Sequence, residues 1–115
     1  MSEGLIRDHV AAVNSGNIER VMSGFTLDAV WSTGTDTYRG TEEIRALFTG
    51  AFDALQPRLA VRRVLASGTV VAAELTETWT GEDGTQRLAA IAGFFSLGGG
   101  KILEARIYRE GSAEP

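Results

Sequence analysis

The chain of 115 residues contains no cysteine. Disulfides, thiol catalysis and zinc sites built on thiolates are therefore excluded. Histidine occurs once, at His9, so no centre built from several imidazoles can form within one chain. Basic residues are scattered: only Arg62 and Arg63 are adjacent, and the net charge is -4. Binding a phosphate backbone needs concentrated positive charge, so nucleic acid is not an expected partner. No apolar run approaches the roughly 20 residues of a membrane span, so no membrane partner is expected either. The opening M-S-E-G-L-I-R lacks the basic-then-apolar order of a signal peptide, which makes the cytoplasm the expected location. Repeats and low-complexity stretches are also missing. This length suits one domain with one modest core, spanning residues 1–115, with 111–115 as a loose tail.

What the chain does have is a strand with a charge on its apolar face. In V-V-A-A-E-L-T-E-T-W-T, residues 70–80, side chains alternate between two faces. Ala72, Glu74, Thr76 and Thr78 form a small or polar face suited to water. Val71, Ala73, Leu75, Glu77 and Trp79 form a core face that contains one carboxylate beside an indole. A carboxylate removed from water must be paired, hydrogen-bonded or protonated, because its charged form loses hydration.

Around this strand the apolar pattern changes period. Residues 4–15 read as a helix with Leu5, Ile6, His9, Val10 and Val13 on one stripe. Gly16 and Asn17 suit its end and the cap of a short second helix that buries Ile18, Val21, Met22 and Phe25. Residues 28–33 read as a strand with Ala29, Trp31 and Thr33 on one side, and residues 34–40 as a turn-rich link or small hairpin. Residues 41–55 form the clearest helix. Thr41 is its expected cap, Glu42 and Glu43 oppose the dipole, and Ile44, Leu47, Phe48, Ala51, Phe52 and Leu55 form a wide stripe. Pro57 ends it. Strands follow at 58–66, 70–80, 85–97 and 102–110, separated by glycine-containing turns. The third of these has few polar residues and is expected to be covered on both faces. Helices followed by a run of long strands make an α+β pattern: a curved, mixed, mostly antiparallel sheet wrapped around the long helix, cone-shaped, with an apolar pocket.

The phrases H-V-A-A-V-N-S-G-N, F-T-L-D-A-V-W, Y-R-G-T-E-E-I-R and G-G-G-K-I-L-E-A-R-I-Y, taken with the order of elements, resemble the nuclear transport factor 2-like superfamily. The SnoaL-like branch is the nearest, with its polyketide cyclases, ketosteroid isomerases and limonene epoxide hydrolases. The resemblance covers essentially the whole chain and implies a conical fold, an apolar pocket and a homodimer joined through the outer sheet face. It carries function position by position. His9 stands where ketosteroid isomerases keep a ketone-polarising tyrosine, Thr33 where they keep the aspartate base, and Gly93 near their protonated aspartate. Glu77 matches the base of limonene epoxide hydrolases. Their supporting arginine corresponds to Leu75, their last-strand aspartate to Ile107, and their first-strand Tyr and Asn to Trp31 and Thr33.

Two functional readings follow. In the first, the protein is an enzyme acting without a cofactor on a small apolar, oxygen-bearing molecule by cyclisation, isomerisation or epoxide opening. Glu77 moves the proton, His9 hydrogen-bonds the developing oxyanion, and Trp31, Trp79 and Ile91 exclude water. Thr33, Leu75 and Ile107 complete the substrate wall. Arg63, on the more apolar side of its strand, binds an anionic group or neutralises Glu77, or else is a solvated arginine at the rim, since the adjacent Arg62 leaves the face of each open. Where Glu77 is instead a structural group, it forms an ion pair with Arg63, Arg109 or Arg106, or sits at a strand end open to water. In the second reading the pocket binds a ligand, or the protein assembles as a dimer, without chemistry.

Overall fold

The computed structural model of the protein describes residues 2–110. The expected tail at 111–115 lies outside them. Three helices, α1 (Ser2–Ser15), α2 (Ile18–Met22) and α3 (Gly40–Ala54), combine with six strands, β1 (Phe25–Thr33), β2 (Asp36–Arg39), β3 (Arg58–Ser67), β4 (Val70–Thr80), β5 (Gln86–Gly98) and β6 (Lys101–Arg109). The strands form one open sheet in the order β2-β1-β6-β5-β4-β3. All neighbours are antiparallel except β1 and β6, which run parallel. The mixed, mostly antiparallel α+β architecture is the one the sequence predicts. The link at 34–40 is a hairpin whose second strand is β2.

Both long helices lie on the same side of the sheet, α3 against β1 and β2, and α1 against β3 and β4. Their apolar stripes meet the inward-facing residues of the strands, with Ile6, Val21, Ile44, Val71, Phe95 and Ile102 fully buried. β4 follows the predicted alternation: Val71, Ala73, Leu75, Glu77 and Trp79 are all buried. On its other face Thr76 is also covered, because the Nε–H of Arg62 donates to its hydroxyl at 2.7 Å.

Three expectations change. Thr41 does not cap α3. The helix starts one residue earlier, and the Glu43 carboxylate instead reaches back to accept the Arg39 backbone N–H at 2.9 Å. β5 is covered on one face only. Ala89, Ile91, Phe95 and Leu97 point inward, whereas Leu88 and Phe94 are 66% and 51% exposed. An uninterrupted apolar run does not reveal that, among the described residues, no element covers the second face. Finally, a β-bulge between Val61 and Arg63 breaks the alternation of β3. The extra residue turns Arg63 outward, where it is exposed and sits 3.7 Å from Glu74.

β3 is an edge strand, and its start is held from α1. The Asn14 side-chain amide accepts the Leu59 N–H at 2.7 Å and donates to the Leu59 carbonyl at 2.9 Å, acting as a one-residue strand partner. Leu59 pairs in turn with Glu77 on β4, so this clamp supports the strand that carries the buried charge. Asn14→Ala leaves both backbone groups of Leu59 without their partner and is expected to cost ~1–3 kcal/mol, read as a lower urea midpoint at unchanged m-value.

Candidate active site

The inward-facing side chains of the sheet, α1 and α3 enclose a mainly apolar cavity of about 130 Å³. His9 and Val13 reach it from α1, Leu47, Phe48 and Ala51 from α3, and Trp31 and Thr33 from β1. Leu75 and Glu77 of β4, Ile91 and Phe95 of β5, and Ile107 and Arg109 of β6 supply the sheet wall. These positions meet because register aligns them: Leu75 lies opposite Ile91, Ile91 opposite Arg109, and Thr33 opposite Ile107.

The polar feature of the cavity is an ion pair. Glu77 is 9% exposed, and its Oε1 accepts a hydrogen bond from Nη2 of Arg109. The two residues are on β4 and β6, with β5 between them. Glu77 lies opposite Ala89 and Arg109 opposite Ile91, so the guanidinium crosses β5 diagonally to reach the carboxylate. Two strand spacings amount to roughly 10 Å, a span suited to arginine's long side chain. Ala89, opposite Glu77, carries only a methyl group at the carboxylate end of that diagonal. The arginine Nε is buried and has no hydrogen-bond partner among the described residues.

At the aromatic end lies His9, 7% exposed. Its ring centroid is 5.7 Å from those of Phe25 and Trp31, 5.8 Å from that of Phe48 and 6.3 Å from that of Phe95. Its buried Nδ1 has no partner among the described residues. Burial penalises the imidazolium and lowers the His9 pKa from 6.5 to about 4. At neutral pH the ring is uncharged. It offers a hydrogen bond, not a positive charge, to an oxygen in the cavity.

Seven of the nine residues expected at the site share this cavity: His9, Trp31, Thr33, Leu75, Glu77, Ile91 and Ile107. Two do not. Arg63 is turned outward by the bulge in β3. Trp79 is buried one step beyond Glu77, beside a separate cleft bounded by Leu55, Arg58 and Gln86 at the C-terminal end of α3. Arg109, assigned above only as one of several possible partners, is the cation of the site. Its sequence signal is the alternation that carries Ala105 and Ile107 inward and places Arg109 on the same face. Phe48 and Phe95 were readable as core, and their role as cavity walls depends on tertiary placement.

Gly93, at the position of the isomerases' second acid, has no room for a side chain. A Cβ there would lie 2.7 Å from Cε2 of Phe95 and 3.0 Å from Cδ1 of Ile107. The Phe95 ring fills the space that a carboxylic acid would need.

The SnoaL-like domain family matches residues 6–105 of the chain. No curated protein sequence matches significantly. Among solved structures, the epoxide hydrolase/cyclase-like enzyme SalBIII, of pyran ring formation in the polyether salinomycin, superposes with a TM-score of 0.88 at 21% identity over 95% of this chain and 90% of that one. An NTF2-like protein of unknown function from Burkholderia pseudomallei gives 0.86 at 15% identity, covering 95% and 90% of the two chains. An LEH-like epoxide hydrolase from M. tuberculosis gives 0.84 at 18% identity, covering 95% and 82%. At these identities the likeness is one of fold.

The environment of His9 has a pH consequence. The unfolded chain protonates this histidine from pH 6.5 downward, whereas the folded chain resists until about pH 4. Between those values the unfolded state holds more protons, so the stability present above pH 6.5 falls as pH is lowered through the window, by ~3 kcal/mol in total. Urea midpoints at neutral pH and near pH 4 are expected to differ much less in His9→Phe than in the wild type. Parallel pH dependences in the two proteins would exclude His9 as the source.

Proposed function

The chain belongs to the SnoaL-like domain family, and on that premise we propose that it is an enzyme of the cyclase or isomerase type, with Glu77 as its acid/base group. The observation that carries this reading is the Glu77–Arg109 ion pair at the polar end of an otherwise apolar cavity. A carboxylate held there by an arginine is oriented and water-poor, and it faces whatever occupies the cavity.

Among the described residues no second carboxylate lines the cavity: the last-strand position is Ile107, and position 93 is glycine. One carboxylate serves best where the proton removed is returned to the same molecule. In a ring closure, Glu77 takes the proton of a substrate hydroxyl, the freed oxygen forms a new C–O bond as an epoxide C–O bond breaks, and the released alkoxide recovers the proton from Glu77. In a double-bond isomerisation through an enolate, Glu77 takes a proton from the carbon beside a carbonyl and returns it to another carbon of the same molecule as the enolate collapses. Both reactions are isomerisations that consume no water. Arg109 steadies the carboxylate, and neutral His9 is placed to hydrogen-bond an oxygen that gains charge. Thr33 adds a hydroxyl to the wall, and Trp31 and Ile91 keep it dry. The chemistry needs no group beyond these side chains.

A binding role without turnover is the second reading. It is favoured by the replacement of the epoxide hydrolases' helper positions with Leu75 and Ile107. The two readings separate on small cyclic ketones and short epoxy-alcohols, followed by NMR for deuterium exchange beside the carbonyl and for ring closure. Under the enzyme reading the wild type turns over at least one class, and Glu77→Gln lowers the rate by ~100-fold or more while the fold persists. Equal rates in the two proteins would remove Glu77 from the chemistry.

We also propose that the outer sheet face joins two copies of the chain. Leu65, Leu88, Phe94 and Tyr108 are exposed there, with the Phe94 and Tyr108 rings 6.1 Å apart edge to face and the Arg106 guanidinium 5.7 Å from the centre of Tyr108. Sedimentation at micromolar concentration is expected to give twice the 12.3 kDa chain mass, and Phe94→Glu to give a monomer. A monomeric wild type would end the proposal.

A further inference from the structure

The polar end of the cavity is balanced in charge. Glu77 and Arg109 offset one another, and among the described residues no other acidic or basic side chain lines the space apart from His9 at the far end. An ion entering such a site loses its hydration and meets no uncompensated partner, whereas a neutral molecule escapes that penalty. The size of the cavity, about 130 Å³, is close to the ~150 Å³ of engineered apolar cavities that take up benzene. A six-membered ring with one small polar group matches this volume, and a fused bicycle with the same group exceeds it.

The polar groups specify the edge of that ring. Arg109 uses an Nη2–H on Glu77, and its buried Nε–H has no partner among the described residues. A guanidinium only donates, and an ionised carboxylate only accepts. A ligand that satisfies both must accept at one atom and donate at a neighbouring one. Trp31, Phe48 and Phe95 face the opposite side of the space. We infer that the site takes a neutral, single-ring molecule whose polar edge both donates and accepts, as in a carboxamide or a hydroxy-ketone, with the ring against Trp31, Phe48 and Phe95. This narrows the substrate class of the proposed enzyme, and it rests on the reading that this cavity is the ligand site.

Benzamide and benzoate test the inference, because they share shape and size and differ in charge. Titrations followed by NMR or by Trp fluorescence at neutral pH are expected to give saturable benzamide binding. Its Kd should be at least about tenfold below those of benzoate and of toluene, the second having no polar edge. 1-Naphthamide is expected not to compete. Benzoate or toluene binding as tightly as benzamide, competition by naphthamide, or no saturable binding of benzamide at millimolar concentration would each overturn the inference.

In Glu77→Gln the arginine loses its counter-charge, and the order is expected to invert, with benzoate overtaking benzamide. An unchanged order in the folded variant would overturn the charge argument, and the wild-type ranking decides alone if that variant does not fold. All these readouts are affinities. If the predicted ranking holds but Glu77→Gln does not impair turnover, the ligand class stands without the chemistry. If turnover depends on Glu77 but the ranking fails, the chemistry stands without this ligand class.

Discussion

A single ion pair crossing β5 sets the terms for the rest of this structure. Glu77 and Arg109 sit on a sheet face that is otherwise apolar, where either charge alone would be costly. Their meeting depends on long-range arrangements that no local preference secures. β4, β5 and β6 must hold one register, and β6 must continue as far as Arg109. The Asn14 clamp on Leu59 steadies β4 from the other side. The hydrophobic layer supplies the free energy of folding, and the ion pair fixes which polar groups the cavity presents.

The sequence made this half legible. The alternation of β4 placed Glu77 inward because a period of two is a local property, visible in eleven consecutive residues. The identity of its partner was not visible in the same way. Arg109 lies 32 residues further on, and three strands had to be paired before its side chain could be placed. Arg63 misled for a more local reason: a bulge shifts the alternation by one residue, and the Arg62-Arg63 dipeptide carries no mark of it. The same limit applies to β5, whose apolar run reads identically whether its outer face meets another layer or solvent.

Fold and chemistry separate at the cavity wall. The family match extends over most of the chain, yet a shared cone does not transfer a shared reaction. At the positions that the resemblance matches to the catalytic groups of such enzymes, this chain has a leucine, an isoleucine and a glycine. Its cavity holds one carboxylate, Glu77, paired with an arginine from β6. His9 contributes as a neutral ring enclosed by four aromatic neighbours, which differs chemically from a phenol at the same place. The outcome is a smaller polar set in a small space, and both the reactions and the ligands open to the protein narrow together.

The contact between Gly93 and Phe95 carries a consequence for how such a site can change over generations. The phenyl ring occupies the volume above the glycine, so the two positions cannot vary independently. An acid appearing first at 93 meets the ring, which must swing aside to admit it. A smaller residue at 95 removes that contact, and an acid already at 93 then opposes a return to phenylalanine. The pair works as a ratchet: the order of substitutions, and not only their sum, decides which chemistries a lineage with this wall can reach.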